Sequence, residues 1–227
     1  MIDKLPWDSA FFNYPVGKIC IDNVNLIEPQ QLIDESRSFK LVYVFSQNEL
    51  PDKFKLKLAD QKVVFAKTLT KCSQNATVQK FKSGFHSYEE LLELALLSGL
   101  YSRFRTDQMF KDNEFVRLYK EWIDKSVSDP DLFVLITTLE QKITGFVTLG
   151  LGSRDSARIG LIAVDNSFQG QSIGTILLNA SEYLSFEKGI KKIEVATQFS
   201  NNKAMQFYTK NNYKIISTTF IYHLWNS

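Results

Sequence analysis

The chain has 227 residues, 44% of them hydrophobic and 23% charged. That composition excludes a disordered, collagen-like or disulfide-scaffold protein and bounds the architecture at one large domain or two small ones. Lysine and arginine number 27 against 25 acidic residues, a net charge of +2, too small to point to nucleic acid as a partner. Cys20 and Cys72 form no CxxC, and His86 and His223 are the only histidines, so no metal site is expected.

The opening MIDKLPWDSAFF carries acids, a proline and no apolar run, unlike a secretory signal. The most apolar helical stretch, 91–100, is interrupted by Glu93 and too short to span a bilayer. The expectation is a soluble, cytoplasmic protein with no membrane partner. Residues 16–21, 41–45 and 62–69 are β-rich runs, and 29–36 fits a short helix. No repeat or low-complexity linker interrupts them, and 1–85 read as a smaller mixed α/β N-terminal module.

From residue 86 the pattern sharpens. Ser87-Tyr-Glu-Glu90 has the form of a capping box, and the helix it opens carries Leu91, Leu94, Ala95 and Leu97 before stopping near Gly99. A second helix after Asp112 repeats Phe115, Leu118, Tyr119, Trp122 and Ile123 at helical period and ends at Asp129-Pro130. Runs 132–139 and 143–151, joined by a polar turn at Gln141, predict an antiparallel hairpin; strand 157–164 follows a turn at 153–156. Next comes a helix with Ile176, Leu177, Ala180, Tyr183 and Leu184 on one face, stopped by Gly189. Strand 192–197, a helix from Asn201 and a long strand 213–225 complete the order ααβββαβαβ. This order describes an α/β fold, a mixed sheet with helices on both faces.

Gln169-Gly-Gln-Ser-Ile-Gly174 joins a strand to a helix. Such a turn aims several backbone amides and the positive helix end at one spot, which binds phosphate without a charged side chain. Gly170 and Gly174 allow close approach. Alone, the same residues also fit a plain strand-to-helix turn. In context the segment resembles the pyrophosphate loop, Gln/Arg-x-x-Gly-x-Gly/Ala, of the GNAT superfamily of acyl-CoA-dependent acyltransferases. Gln169 and Gly174 meet the pattern, and Ser172 replaces its middle Gly. The resemblance extends over Leu161-Ile-Ala-Val-Asp165, Ile176-Leu-Leu, Asn201-Asn-Lys-Ala-Met-Gln-Phe-Tyr208, and Asn212-Tyr213, where most members have Gly-Phe.

The resemblance implies a GNAT domain over 86–227: a twisted mixed sheet in which strand 157–164 splays from 192–197. It places acyl-CoA in the gap as co-substrate, with no metal. Pantetheine would pair along Leu161, Ile162, Ala163 and Val164, and pyrophosphate would sit on Gln169, Gly170, Gln171, Ser172, Ile173, Gly174 and Thr175, with Asn201 also on the cofactor side. A backbone amide near Ile162 or Ala163 would polarise the thioester carbonyl. Tyr208 would protonate the leaving thiolate, a role that suits a phenol of pKa about 10, though it also fits a core aromatic beside Phe207. For the base, His223, Glu194, another carboxylate and ordered water all stay open.

Leu5-Pro-Trp-Asp-Ser-Ala-Phe-Phe12 reads as an aromatic cluster, but it is also similar to the Pro-Trp-(Asp/Glu)-x-x-Phe-Phe opening of bacterial dTDP-fucosamine acetyltransferases. That likeness continues through Tyr101-Ser-Arg-Phe-Arg105, Leu118-Tyr-Lys-Glu-Trp-Ile123, Ala157-Arg-Ile-Gly-Leu161 and Val195-Ala-Thr-Gln198, with gaps in 22–84. It implies N-acylation of a dTDP-linked amino-6-deoxyhexose for surface polysaccharide. Arg103 and Arg105 would face the diphosphate, Phe104 or Tyr101 would lie against thymine or sugar, and Asp107 would orient the amine. A solvated basic loop is the plainer reading of these residues. An acetyl group on a 4-amino sugar is the default, and a hydroxybutyryl group on a 3-amino sugar the alternative. A peptide N-acetyltransferase and a non-catalytic acyl-CoA-binding module are the rival classes. GNAT enzymes of this kind pair as homodimers through C-terminal strands, and the apolar run 220–225 fits an interface or a core.

Overall fold

Spatial order and chain order part company in the sheet. The structure, a computed structural model, describes residues 1–23, 27–70, 77–152 and 156–226, without the side chain of Asp112. Cys72 and most of the expected turn at 153–156 lie outside these residues. The described strands are β1 (Asp3–Lys4), β2 (Val16–Ile21), β3 (Leu41–Ser46), β4 (Leu58–Thr68), β5 (Val78–Lys80), β6 (Leu132–Leu139), β7 (Lys142–Leu151), β8 (Ser156–Val164), β9 (Lys192–Gln198) and β10 (Lys214–Trp225). They form one sheet in the order β1-β2-β3-β10-β4-β9-β8-β7-β6-β5. Strands from 1–85 thus interleave with those from 86–227, because β4 lies between β9 and β10. The described helices are α1 (Pro6–Phe12), α2 (Pro29–Ser36), α3 (Tyr88–Ser98), α4 (Arg103–Thr106), α5 (Asp112–Ser128), α6 (Ile173–Glu187) and α7 (Asn202–Lys210).

The sheet is covered on both faces. Alternation along β4 and β9 turns Val63, Phe65, Ile193 and Val195 toward α6 and α7, where Leu177, Leu178 and Tyr208 complete a core. On the other face Val134, Ile136 and Phe146 pack with Leu91 and Leu94 of α3 and Ile123 of α5. Leu41 and Tyr43 join Phe12, Phe110 and Leu118 on that same side. Between β6 and β7 the hairpin turns on Glu140 and Gln141, both at positive φ, as a two-residue turn matched to strand twist requires. Ser87 caps α3 by accepting from the Glu90 amide at 3.2 Å. The expected return bond is not made, because Glu90 accepts from the Ile143 amide at 2.8 Å and ties α3 to β7.

One expectation changes here: the residues after Gly99 hold a short helix, α4, between the two predicted ones. The run 220–225, which fits an interface or a core, pairs throughout with β3, and its residues 220–222 pair with β4 as well. Among the described residues no helix is long and apolar enough to cross a membrane.

Candidate active site

β8 and β9 pair in parallel from Ser156–Ile159 to Lys192–Val195 and no further. Past that point the strands separate, leaving the β9-facing backbone of β8 without a strand partner. A bulge opposite β7, between Val147 and Leu149, accompanies the change. Thr148 Oγ1 accepts from the Leu161 amide at 2.8 Å, which takes that amide out of the set expected to pair with pantetheine.

The loop beyond β8 is held by its own side chains. Asp165 accepts from the Ser167 amide at 2.8 Å, and Gln169 Nε2 donates to the Val164 carbonyl at 3.3 Å and to Asn166 Oδ1 at 3.0 Å. Gly170 has φ 81° and Ser172 φ 63°, a left-handed geometry that favours glycine. The first intrahelical bond of α6 runs from the Ile176 amide to the Ser172 carbonyl, and no side chain caps the helix. The amides of Ile173, Gly174 and Thr175 therefore remain open at the positive end of a fifteen-residue helix. Gly174 is small for a different reason than phosphate approach: a Cβ there would sit 3.0 Å from Phe207 Cζ, so it lets α7 pack against α6.

A cavity of about 580 Å³ occupies the gap. Of the residues expected on the cofactor side, Leu161, Ile162, Ala163, Val164, Gln169, Gly170, Ser172, Ile173, Gly174, Thr175 and Asn201 line it, and Gln171 does not. Asn201 also serves α7, its side chain accepting from the Ala204 amide at 3.1 Å. Tyr208 lines the cavity while its ring packs against Phe65 (centroids 5.4 Å apart) and Tyr213 (5.9 Å). Burial pushes its phenol above the usual value, so the hydroxyl is protonated at neutral pH. Sequence reasoning missed Lys203 and Lys210 of α7 and the wall formed by Leu97, Leu100 and Tyr119. The Tyr119 signal was Gly99: a Cβ there would lie 2.3 Å from Tyr119 Cζ, so only glycine admits the ring.

Of the expected acceptor residues Tyr101 lines this cavity, and Arg103, Phe104, Arg105 and Asp107 do not. Arg103 and Arg105 sit two apart on a helix and so point apart. Arg103 lies over the rings of Tyr43 (4.3 Å) and Phe104 (4.5 Å), and Arg105 lies outward, 5.6 Å from the Phe115 ring. They form no joint diphosphate clamp. Phe104 is packed among Phe12, Phe110 and Trp122. Asp107 accepts from His223 Nδ1 and from Trp225 Nε1 at 2.9 Å. Burial alone would raise its carboxyl, but bonds from His223, the Met109 amide and Trp225 outweigh that and hold it at about 2. His223, lowered by burial against the pull of Asp107, is committed to this pair. Glu194 is tied to Lys192 at 2.6 Å and Arg158 at 3.8 Å. Neither histidine nor glutamate reaches the cavity as a base. Among the described residues no three His, Cys, Asp or Glu side chains gather as a metal site.

The chain is similar to known proteins. The chain is 29% identical over 107 residues to an uncharacterised N-acetyltransferase of Methanocaldococcus jannaschii, covering 44% of this chain and 46% of that one. It is 24% identical over 138 residues to the spore coat polysaccharide biosynthesis protein SpsD of Bacillus subtilis, covering 60% and 47%. The chain thus spans about half the length of these curated relatives. A solved structure of a conserved Staphylococcus epidermidis protein of unknown function superposes with a TM-score of 0.64 at 13% identity, over 94% of this chain and 84% of that one. Residues 94–213, more than half of the chain, match the Acetyltransferase (GNAT) family, and the protein belongs to that family.

Proposed function

We propose that the protein transfers an acyl group, acetyl by default, from acyl-CoA to the amine of a dTDP-linked amino-6-deoxyhexose of the 4-amino-4,6-dideoxygalactose type. The observation that carries the transfer chemistry is the position of Tyr208. It is a buried, protonated phenol in the wall of a cavity that begins at the open amides of α6 and ends between separated strands. Those amides and the nearby Lys203 and Lys210 fit the phosphates of CoA, which supplies an activated thioester. The acceptor ammonium first gives a proton to water, the free amine nitrogen attacks the thioester carbon, and the oxygen takes the charge beside a β8 amide at Ile162 or Ala163; the C–S bond then breaks and the nitrogen sheds its extra proton to water, leaving a neutral amide. Tyr208 gives its phenolic proton to the departing sulfur. The sugar acceptor is supported by the likeness to SpsD, named for polysaccharide biosynthesis, and by the Pro6-Trp7-Asp8 opening.

Thiol release should be measured with acetyl-CoA and hydroxybutyryl-CoA against dTDP-4-amino- and dTDP-3-amino-6-deoxyhexoses, with a peptide amine alongside. Turnover of the 4-amino sugar with acetyl-CoA is expected. Turnover of the 3-amino sugar alone moves the regiochemistry, and turnover of the peptide alone removes the sugar reading.

A further inference from the structure

The end of α7 couples Tyr208 to a residue that does not line the cavity. Asn212 stands at φ 65°. Its amide donates to the Thr209 carbonyl at 3.0 Å, and the Tyr213 amide donates to the Tyr208 carbonyl at 3.0 Å. This is a Schellman ending, which folds the residue two beyond the cap back against the last turn of the helix. Here the two residues so joined are Tyr213 and Tyr208, with ring centroids 5.9 Å apart. A backbone bond and a ring contact therefore make the position of Tyr208 depend on that of Tyr213.

Tyr213 is in turn anchored by charge. Its hydroxyl donates to Glu182 Oε1 of α6 at 3.0 Å, and Lys67 Nζ of β4 donates to Glu182 Oε1 at 2.8 Å and to Oε2 at 2.7 Å. Lys67 also lies over the Tyr213 ring, 5.5 Å from its centre. Glu182 and Tyr213 are both buried. Phe65 and Lys67 are two apart on β4 and share a face, so one strand backs the Tyr208 ring at 5.4 Å with Phe65 and holds Tyr213 with Lys67. An ion pair so placed is a weak source of stability, because desolvation offsets its attraction. Its charge-assisted bonds are instead a strong source of fixed geometry.

Tyr208 needs such geometry from its surroundings. Burial alone shifts its phenol, with no hydrogen bond or charge among the described residues contributing, so no bond of its own orients the hydroxyl. Its ring neighbours are Phe65, Phe207 and Tyr213. Of these only Tyr213 carries a polar anchor.

We propose that Tyr213, Glu182 and Lys67 are positioning residues, which lock the end of α7 so that the Tyr208 hydroxyl faces the departing sulfur. The assignment rests on the reading of Tyr208 as proton donor. None of the three lines the cavity, and Lys67 lies outside the span 94–213 that matches the family. They act by placement, so they set kcat and leave acyl-CoA binding alone.

Tyr213→Phe tests this, since it keeps both ring contacts and removes only the bond to Glu182. In thiol release from acetyl-CoA with the dTDP-4-amino sugar its kcat should fall about tenfold, the scale of a small misplacement of a reacting group, with KM for acetyl-CoA unchanged. Made in Tyr208→Phe, the same substitution should leave kcat where it was, because the group it positions is gone. Glu182→Gln should also lower kcat, and adding Tyr213→Phe to it should cost nothing further. A second readout needs no acceptor. With ring-labelled tyrosine and acetyl-CoA bound, flipping of the Tyr208 ring seen by NMR should be about tenfold faster in Tyr213→Phe, the rate equivalent of one lost hydrogen bond.

A native kcat in Tyr213→Phe, a loss confined to KM, or an equal loss with and without the Tyr208 hydroxyl overturns the proposal. A native kcat in Tyr208→Phe removes the proton-donor reading and the proposal with it, whereas a low kcat there beside a native one in Tyr213→Phe removes the proposal alone. If the sugar is not turned over, the acceptor reading falls separately, and an unchanged flip rate overturns the clamp.

Discussion

Replacing Asp60 by asparagine should stabilise the protein, and by an amount that depends on pH. Burial is the main force on the Asp60 carboxyl and holds it at about 6, against a usual 3.8, with Arg103 opposing only in part. The folded-state value lies above the unfolded one, so between the two the folded protein binds the proton more tightly. Stability is then greatest below about pH 4 and is lost as pH rises toward and through about 6. A displacement of about two units corresponds to roughly 3 kcal/mol at about 1.4 kcal/mol per unit. Asparagine has the shape of aspartate but no charge, so the advantage of Asp60→Asn over the native protein should be close to zero at pH 4. It should grow from there and level off above about pH 6.5 at on the order of 2–3 kcal/mol. Urea unfolding of both proteins from pH 4 to pH 8 measures this directly. An advantage that is absent at pH 8, or constant across the range, refutes the argument, because either result means that the carboxylate is not held at a desolvation cost.

Tyr208→Phe keeps the ring contacts with Phe65 and Tyr213 and removes only the proton donor. It should lower kcat in thiol release by about 10²- to 10⁴-fold, with thermal midpoint and acetyl-CoA affinity unchanged; a kcat within about threefold of the native value returns Tyr208 to a purely packing role. Ser172→Gly removes a non-glycine residue from φ 63° and should raise the thermal midpoint by about 2–4 °C, the equivalent of about 1 kcal/mol, while a lower midpoint would mean that the serine side chain supports the loop. Gly99→Ala forces a methyl to within 2.3 Å of the Tyr119 ring and should cost about 1–3 kcal/mol in denaturant unfolding; a neutral result would show that Tyr119 swings away freely.

The proposed acyl-CoA side was the more legible because its residues are local in sequence. The loop from Gln169 to Gly174 is a contiguous turn, and Asn201 to Tyr208 is a single cap and helix, so spacing along the chain already carries the geometry. The acceptor side was less legible for the same reason in reverse. Arg103, Arg105 and Asp107 look like one basic loop with an acid beside it, yet a four-residue helix points the two arginines apart. Asp107 is claimed by His223 and Trp225, more than a hundred residues away. Asp60 carries no local signal at all. It sits in an ordinary strand pattern and gains its environment only from β10, α1 and α4 folding over it.

The placement of β4 joins the two parts of the chain. Residues 94–213 match the family, but β4 comes from outside that span and lies between β9 and β10. Alternation gives it two working faces. On one, Phe65 backs the ring of Tyr208 and Val63 extends the core beneath α6 and α7. On the other, Asp60 meets Arg103 beneath α4. Antiparallel pairing with β9 over seven residues, Lys62 to Thr68, fixes the strand against the splayed wall of the cavity. The packing behind Tyr208 and the Asp60–Arg103 interaction are therefore held in one register. A slip of that register by one residue would exchange the faces of β4, burying Asp60 under α6 and α7 and withdrawing Phe65 from Tyr208. The strand that most resists recognition from sequence is thus the one that backs the proposed proton donor.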